Sequence, residues 1–240
     1  MDGVYVETCR EEVRHCSLVI LGVDASGHQA LVGLWVGSRE SELSWQDLLL
    51  DLTSHGLEHR PAIALGDGVL GFWQALCQGY GQPRWYRCWV HKTAHGLDQL
   101  PKDLQPQATQ RLQAAWLAPV RPCAEVAFDW FIATSEAQYP KAAECLAQDR
   151  EVVLAFYDCP AELWGHLRTT KLIASTCATG RGRTARPHGG LSHITKLAMG
   201  FQLYQSAAKR WQRLRAVHDL PEVMHGITFK DGLRVAQDAA

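Results

Sequence analysis

The arrangement of the whole chain turns on PAIALGDGVLGFWQAL, residues 61–76. Its first six residues are almost wholly apolar and stop at a glycine, as expected of a short strand buried on both faces. The segment GFWQALCQGYG (71–81) then reads as a helix. Between them lies Gly66-Asp67-Gly68. Side chains at the carboxyl ends of strands in α/β sheets project into the crevice where ligands bind. The two glycines let the backbone turn tightly and leave the Asp67 carboxylate clear. An aspartate here also suits the N-cap of the helix that follows, and the segment alone leaves both roles open.

Upstream, GVYVET (3–8), SLVILGVDA (17–25) and ALVGLWVG (30–37) are rich in β-branched residues. The polar turns EEVRHC and SGHQ join them, so an antiparallel meander is expected. SWQDLLLDLTSHGL (44–57) has a serine start and a glycine stop and reads as a helix. Downstream, RWYRCWVH (84–91) reads as a further strand. The order is β-β-β-α-β-α-β, an α/β pattern. After Pro101 the character changes to helices separated by prolines, 105–119, 122–138 and 139–158. A long amphipathic helix is expected within 188–215, with Leu197, Phe201, Tyr204, Ala208 and Trp211 at helical spacing. PEVMHGITFKDGLRV (221–235) reads as a short strand or hairpin.

A hydrophobic content of 47% with 20% charged residues places the chain among globular rather than disordered proteins. No apolar run approaches the roughly 20 residues that span a bilayer, and the N-terminus lacks the pattern of a signal peptide. A cytoplasmic protein is expected, with its eight scattered cysteines reduced. Cys88 and His91 form a C-x-x-H on the last strand of the series, but no second pair completes the four ligands of a zinc site. Packing, or shaping a nearby site, is the expected role. Asp2, at the start of the first strand, reads by itself as a frayed terminal residue.

Charge distribution says more than the net charge of -1. From just after Glu162 to just before Asp219 there is no acid. RTTKLIASTCATGRGRTARP (168–187) holds five lysines and arginines. Lys and Arg contacts to phosphate give sequence-independent affinity that weakens steeply with salt. Arg168, Thr169, Thr170, Lys171, Arg181, Arg183 and Arg186 are the candidate DNA contacts, and Lys209, Arg210 and Arg213 could extend the same track. A solvated helix face beside a loop is the bland alternative.

DGVYVETCR, LVGLWVGSRES, ALGDGVLGFWQAL, RCWVH, LRTTKLIASTCATGRGRT and KLAMGFQLYQSAAKRWQRL resemble, in order, the core of the Mutator-type bacterial insertion-sequence transposases. The resemblance covers essentially the whole chain. It implies an RNase H-like catalytic core over 1–100 and 166–240, interrupted by a helical insertion at 101–165. It implies DNA as partner and Mg²⁺ or Mn²⁺ as cofactor, held by two aspartates and a glutamate. Clustered carboxylates suit such hard ions, and two ions about 3.5–4 Å apart can activate the attacking oxygen and stabilise the leaving one. By the resemblance Asp2 is the first aspartate, Asp67 the second, and His91 the histidine of the C-x-x-H element. The first two are expected close together, facing the third position.

That third position departs from the pattern. Where the family runs R-T-T-N-x-I-E-S, this chain has Arg168, Thr169, Thr170, Lys171, Leu172, Ile173, Ala174 and Ser175. Alanine replaces the glutamate, and lysine the asparagine. Relatives also carry a DNA-binding region ahead of the first aspartate, whereas here the sequence opens Met1-Asp2. The expectation is a truncated, degenerate transposase, weak or inactive in strand cleavage. The alternatives are a non-catalytic remnant that binds DNA, a dimerising one that pairs with itself or an intact transposase, and an RNase H-like nuclease. No membrane partner is expected, only association with the nucleoid when bound.

Overall fold

Strand β2 (His15–Val23) carries apolar residues on both of its faces, and this organises the first of two structural units. It lies between β1 (Asp2–Val6) and β3 (Gln29–Gly37) in an antiparallel meander, the order expected from the sequence. In the computed structural model, residues 2–6, 15–37, 39–57, 59, 61–68, 70–170, 193–214 and 217–235 are described. The first unit comprises 1–84 and 170–217, the second 85–169 and 218–240.

Cys16, Leu18 and Ile20 on β2 face one layer of the first unit, while Val19 and Leu21 face another. The register slips between Ile20 and Leu21, so that Ile20 opposes Gly33 and Leu21 opposes Leu31. Val32 is therefore an extra residue, a β-bulge that bends β3. Against the first face packs α1 (Glu42–Ser54), through Trp45, Leu48, Leu49 and Leu52. Those positions recur at the three- and four-residue spacing of one helix face. A Cβ on Gly33 would sit 3.1 Å from the Leu48 side chain, so the glycine lets α1 approach the sheet. The cap of α1 is not Ser44, where the sequence reading began the helix. Ser41 Oγ accepts from the Ser44 N–H (3.2 Å), starting the helix almost a turn earlier. At the far end Gly56 takes φ +100° and stops it.

After α1 come β4 (Ile63–Gly66) and α2 (Leu70–Tyr80). Phe72 meets Trp45 edge-on with ring centroids 4.9 Å apart, and the Tyr80 hydroxyl donates to the Leu57 carbonyl (3.0 Å). Arg84, opening β5 (Arg84–Arg87), donates its N–H to the Ala62 carbonyl just ahead of β4 (3.2 Å). The order β-β-β-α-β-α-β is thus present. Helix α2 runs so close to α1 that a Cβ on Gly71 would lie 2.7 Å from the Glu42 nitrogen and 3.0 Å from the Ser41 carbonyl carbon. Backbone cannot yield as a side chain can. Gly71→Ala is therefore expected to cost about 1–3 kcal/mol, despite alanine's helix propensity. A urea midpoint equal to that of the parent would show that α2 does not depend on this approach.

The opposite face of the sheet is covered by α9 (His193–Ala208), whose Tyr204 packs on Val19 among Leu21, Leu31 and Leu34. The sequence periodicity carries this helix to 215, but it ends at Ala208. Beyond it the Gln212 carbonyl accepts from Gln29 Nε2 (2.6 Å), and Leu214 N–H donates to the Gly27 carbonyl (3.0 Å). Hydrogen bonding to the β2–β3 turn replaces the next helical turn.

In the second unit, α3 (Trp89–Leu97), α4 (Gln105–Trp116), α5 (Arg121–Glu136), α6 (Pro140–Ala147) and α7 (Arg150–Leu154) surround a core of Trp89, Leu112, Phe128 and Leu146. Trp89 lies edge-on to Phe128 at 5.6 Å. Two further helical stretches expected from the prolines are α4 and α5. The third, 139–158, divides at Gln148 and Asp149 into α6 and α7. Strand β5 ends at Arg87, which corrects the reading of 84–91 as one strand. Trp89, Lys92, Thr93 and Gly96 are buried at helical spacing, and that packing overrides the β-like composition of RWYRCWV. Helix α8 (Trp164–Leu167) and α10 (Leu220–Met224) precede the hairpin β6 (Phe229–Lys230) and β7 (Leu233–Arg234). Asp231 (φ +50°) and Gly232 (φ +81°) make its two-residue turn. Helix α5 has no side-chain cap of its own; the Asp231 carboxylate accepts the Arg121 N–H (2.5 Å) and supplies one.

Candidate functional site

Asp67 directly follows β4 and is half-buried. The turn around it is built by its glycines. Gly68 takes φ +100°, a left-handed conformation that side chains resist. A Cβ on Gly66 would lie 2.9 Å from the Trp73 ring. The chain can thus turn from β4 into α2 in three residues, leaving Asp67 at the carboxyl end of a strand whose Ala64 is buried. Asp2 opens β1, at the register position opposite Val19. Both aspartates belong to the first unit. Among the described residues no group of three His, Cys, Asp or Glu is gathered as a metal site. Lys171, Ala174, Arg181, Arg183 and Arg186 lie outside the described residues.

Cys88 and His91 are in the second unit, not on a strand as the sequence suggested. Cys88 is the buried N-cap residue of α3, and His91 is in its first turn. Among the described residues Cys16, Cys77, Cys88, Cys123, Cys145 and Cys159 are in no disulfide. Arg168 Nε donates to the Trp164 carbonyl (3.1 Å), and its guanidinium reaches the Trp116 carbonyl and lies 5.2 Å above the Phe156 ring. Burial lowers its pKa. Its carbonyl accepts the N–H of Trp89 (2.9 Å). The guanidinium therefore ties three parts of the second unit together. Thr170 is buried in the first unit, and Thr169 is the last residue of the 85–169 stretch of the second. Lys209, Arg210 and Arg213, just past the end of α9, are exposed. They carry no ion pair among the described residues.

The family model for Transposase, Mutator family, matches residues 1–186. The chain belongs to the Mutator family of transposases. It is 46% identical over 230 residues to the transposase for insertion sequence element IST2 of Acidithiobacillus ferrooxidans, covering 96% of this chain and 78% of that one. It is 40% identical over 232 residues to the transposase for insertion sequence element IS6120 of Mycolicibacterium smegmatis, covering 97% and 72%. A more distant relative, the transposase for insertion sequence element IS905 of Lactococcus lactis, is 26% identical over 176 residues, 73% of this chain and 44% of the relative.

One feature of this Mutator chain was missed by the sequence reading. Lys92 on α3 is only 2% exposed, and both it and Arg87 hydrogen-bond the Asp149 carboxylate. Burial raises the pKa of that carboxyl, but the hydrogen bonds from Lys92 and Arg87 more than offset it and hold the value below the ordinary one. Spacings of 57 and 62 residues leave no local pattern that would have revealed the cluster. No helix among the described residues is long and apolar enough to cross a membrane.

Proposed function

We propose that this chain serves DNA transposition through an RNase H-like core interrupted by a helical insertion, with Asp2 and Asp67 as two of the three carboxylate positions and Ala174 at the degenerate third. The match to the Mutator family over residues 1–186 carries the reading. The strand-and-helix order of residues 2–87 supports it, as does the placement of Asp67 in a glycine-flanked turn after β4. Helices α1 and α9 also cover opposite faces of the meander, so that the sheet is packed on both sides.

The donor set does not fit two-metal chemistry. Two carboxylates remain, and alanine offers no oxygen at the third position. The second ion would lack a ligand, and the lysine that replaces the family's asparagine three residues earlier in sequence brings a positive charge and no oxygen donor. We therefore assign the chain weak or absent strand cleavage and retain DNA binding. Ala174 is the observation that favours the alternative reading, a non-catalytic remnant that binds DNA or pairs with an intact transposase.

Binding rests on the acid-free stretch from 163 to 218. Lys209, Arg210 and Arg213 are its exposed, described cations. Duplex DNA of arbitrary sequence should bind at low salt, with affinity falling steeply as salt rises. Replacing all three by alanine should lower the magnitude of the log–log salt slope by about 2–3, since each phosphate contact contributes about 0.9. The test is fluorescence anisotropy across a salt series. Affinity indifferent to salt, or no binding at low salt, would leave these side chains as a solvated surface.

A further inference from the structure

Helix α5 exposes an apolar stripe on its outer side. Val126 is 71% exposed and Trp130, one turn on, is 51% exposed. The stripe is not bare hydrophobic surface, because Arg111 of α4 lies over the Trp130 ring with its guanidinium carbon 4.9 Å from the centroid. Arg111 makes no ion pair among the described residues. The acids nearby are already engaged: Asp129 accepts two hydrogen bonds from Arg150 (2.7 and 2.8 Å), and Glu125 accepts from Arg121 (2.9 Å). Helix α4 contributes no acid at all; its polar residues are glutamine and threonine beside Arg111. An exposed indole is thus combined with a cation that lacks a carboxylate partner.

We infer that Trp130 and Arg111 form a stacking platform for an unpaired nucleotide of DNA. This deepens, and rests on, the proposal that the chain acts on DNA. An indole stacks on any base because every base has a π-face, and a guanidinium can add cation–π attraction and a phosphate contact. A purely apolar protein partner would gain nothing from an unneutralised arginine at the centre of its footprint. Duplex DNA presents no base face to an indole, so the platform selects nucleotides that are out of the stack.

The test uses the full chain and two labelled oligonucleotides of equal length, oligothymidylate and an abasic analogue with the same phosphates. Fluorescence anisotropy at low salt reads both. Stacking on an aromatic side chain contributes about 1–3 kcal/mol per base, so the parent should prefer the base-containing strand by roughly 5- to 150-fold. Trp130→Ala should abolish the preference while leaving abasic binding unchanged, and Trp130→Phe should keep most of it. Arg111→Ala should weaken binding to both strands. Trp130 is half-exposed, so a thermal melt should show the variants folded. A parent that binds both strands equally, or a Trp130→Ala variant that keeps the preference, overturns the platform but leaves DNA binding intact. Failure of the parent to bind either strand overturns both the platform and the DNA reading. A Trp130→Ala variant altered only in its oligomeric state would assign the stripe to a second copy of the chain instead.

Discussion

Replacing Asp149 by alanine is expected to destabilise the second unit by about 3–5 kcal/mol, because two buried cations lose their shared counter-charge. Lys92 is almost wholly inside the protein, and Arg87 and Asp149 are largely so. Domains of this kind hold only about 5–15 kcal/mol of net stability, so the variant should lose a large share of it. The charge sign fixes a pH dependence. The Asp149 carboxyl titrates lower in the folded protein than in the unfolded chain. Its contribution is therefore complete above the unfolded value of about 3.9 and disappears as pH falls through the lower folded value. Urea titrations of parent and variant should differ most at neutral pH and converge in strong acid. Swapping all three residues for apolar ones of similar volume should recover much of the loss. An Asp149→Ala variant as stable as the parent at pH 7 would show that the cluster holds nothing together.

Ala174→Glu combined with Lys171→Asn is expected to create metal-dependent nicking that the parent lacks. The change supplies the missing oxygen ligand and removes a cation from its neighbourhood in sequence. On supercoiled DNA with Mn²⁺, the double variant should convert plasmid to the open circular form, and Asp67→Asn in that background should abolish the conversion. Cleavage should lack site preference. Nicking that survives Asp67→Asn would detach Asp67 from the chemistry. A silent double variant would count against Ala174 as the lost carboxylate position.

The meander, the helix after it and the short strand before Asp67 were legible because apolar patterning and turn residues agree locally, although β4 alternates half-buried and buried residues instead of being buried on both faces. What escaped the sequence was decided by tertiary contacts. RWYRCWVH has a strand's composition, yet burial of Trp89, Lys92 and Gly96 winds its second half into a helix. The amphipathic run past Ala208 continues by periodicity, but its backbone is captured by the turn at Gly27. Helix α5 receives its cap from Asp231, 110 residues away. The proposed site divides in the same way. Asp67 announces itself through its flanking glycines, whereas Asp2 gains meaning only by likeness to the family, since a lone acid at the head of a strand has no local signature. The Arg87–Lys92–Asp149 cluster and the Trp130–Arg111 pair join residues from separate elements, which no single-segment pattern encodes.

The central claim is that two aspartates without a third carboxylate leave this Mutator-family chain unable to cleave DNA efficiently. The most direct measurement is a nicking assay of the unmodified protein on supercoiled plasmid with Mn²⁺, run beside Asp67→Asn. The account predicts that the two are alike, with no nicking above background. Robust Mn²⁺-dependent nicking by the unmodified chain, lost in Asp67→Asn, would contradict it and would mean that another acid completes the site.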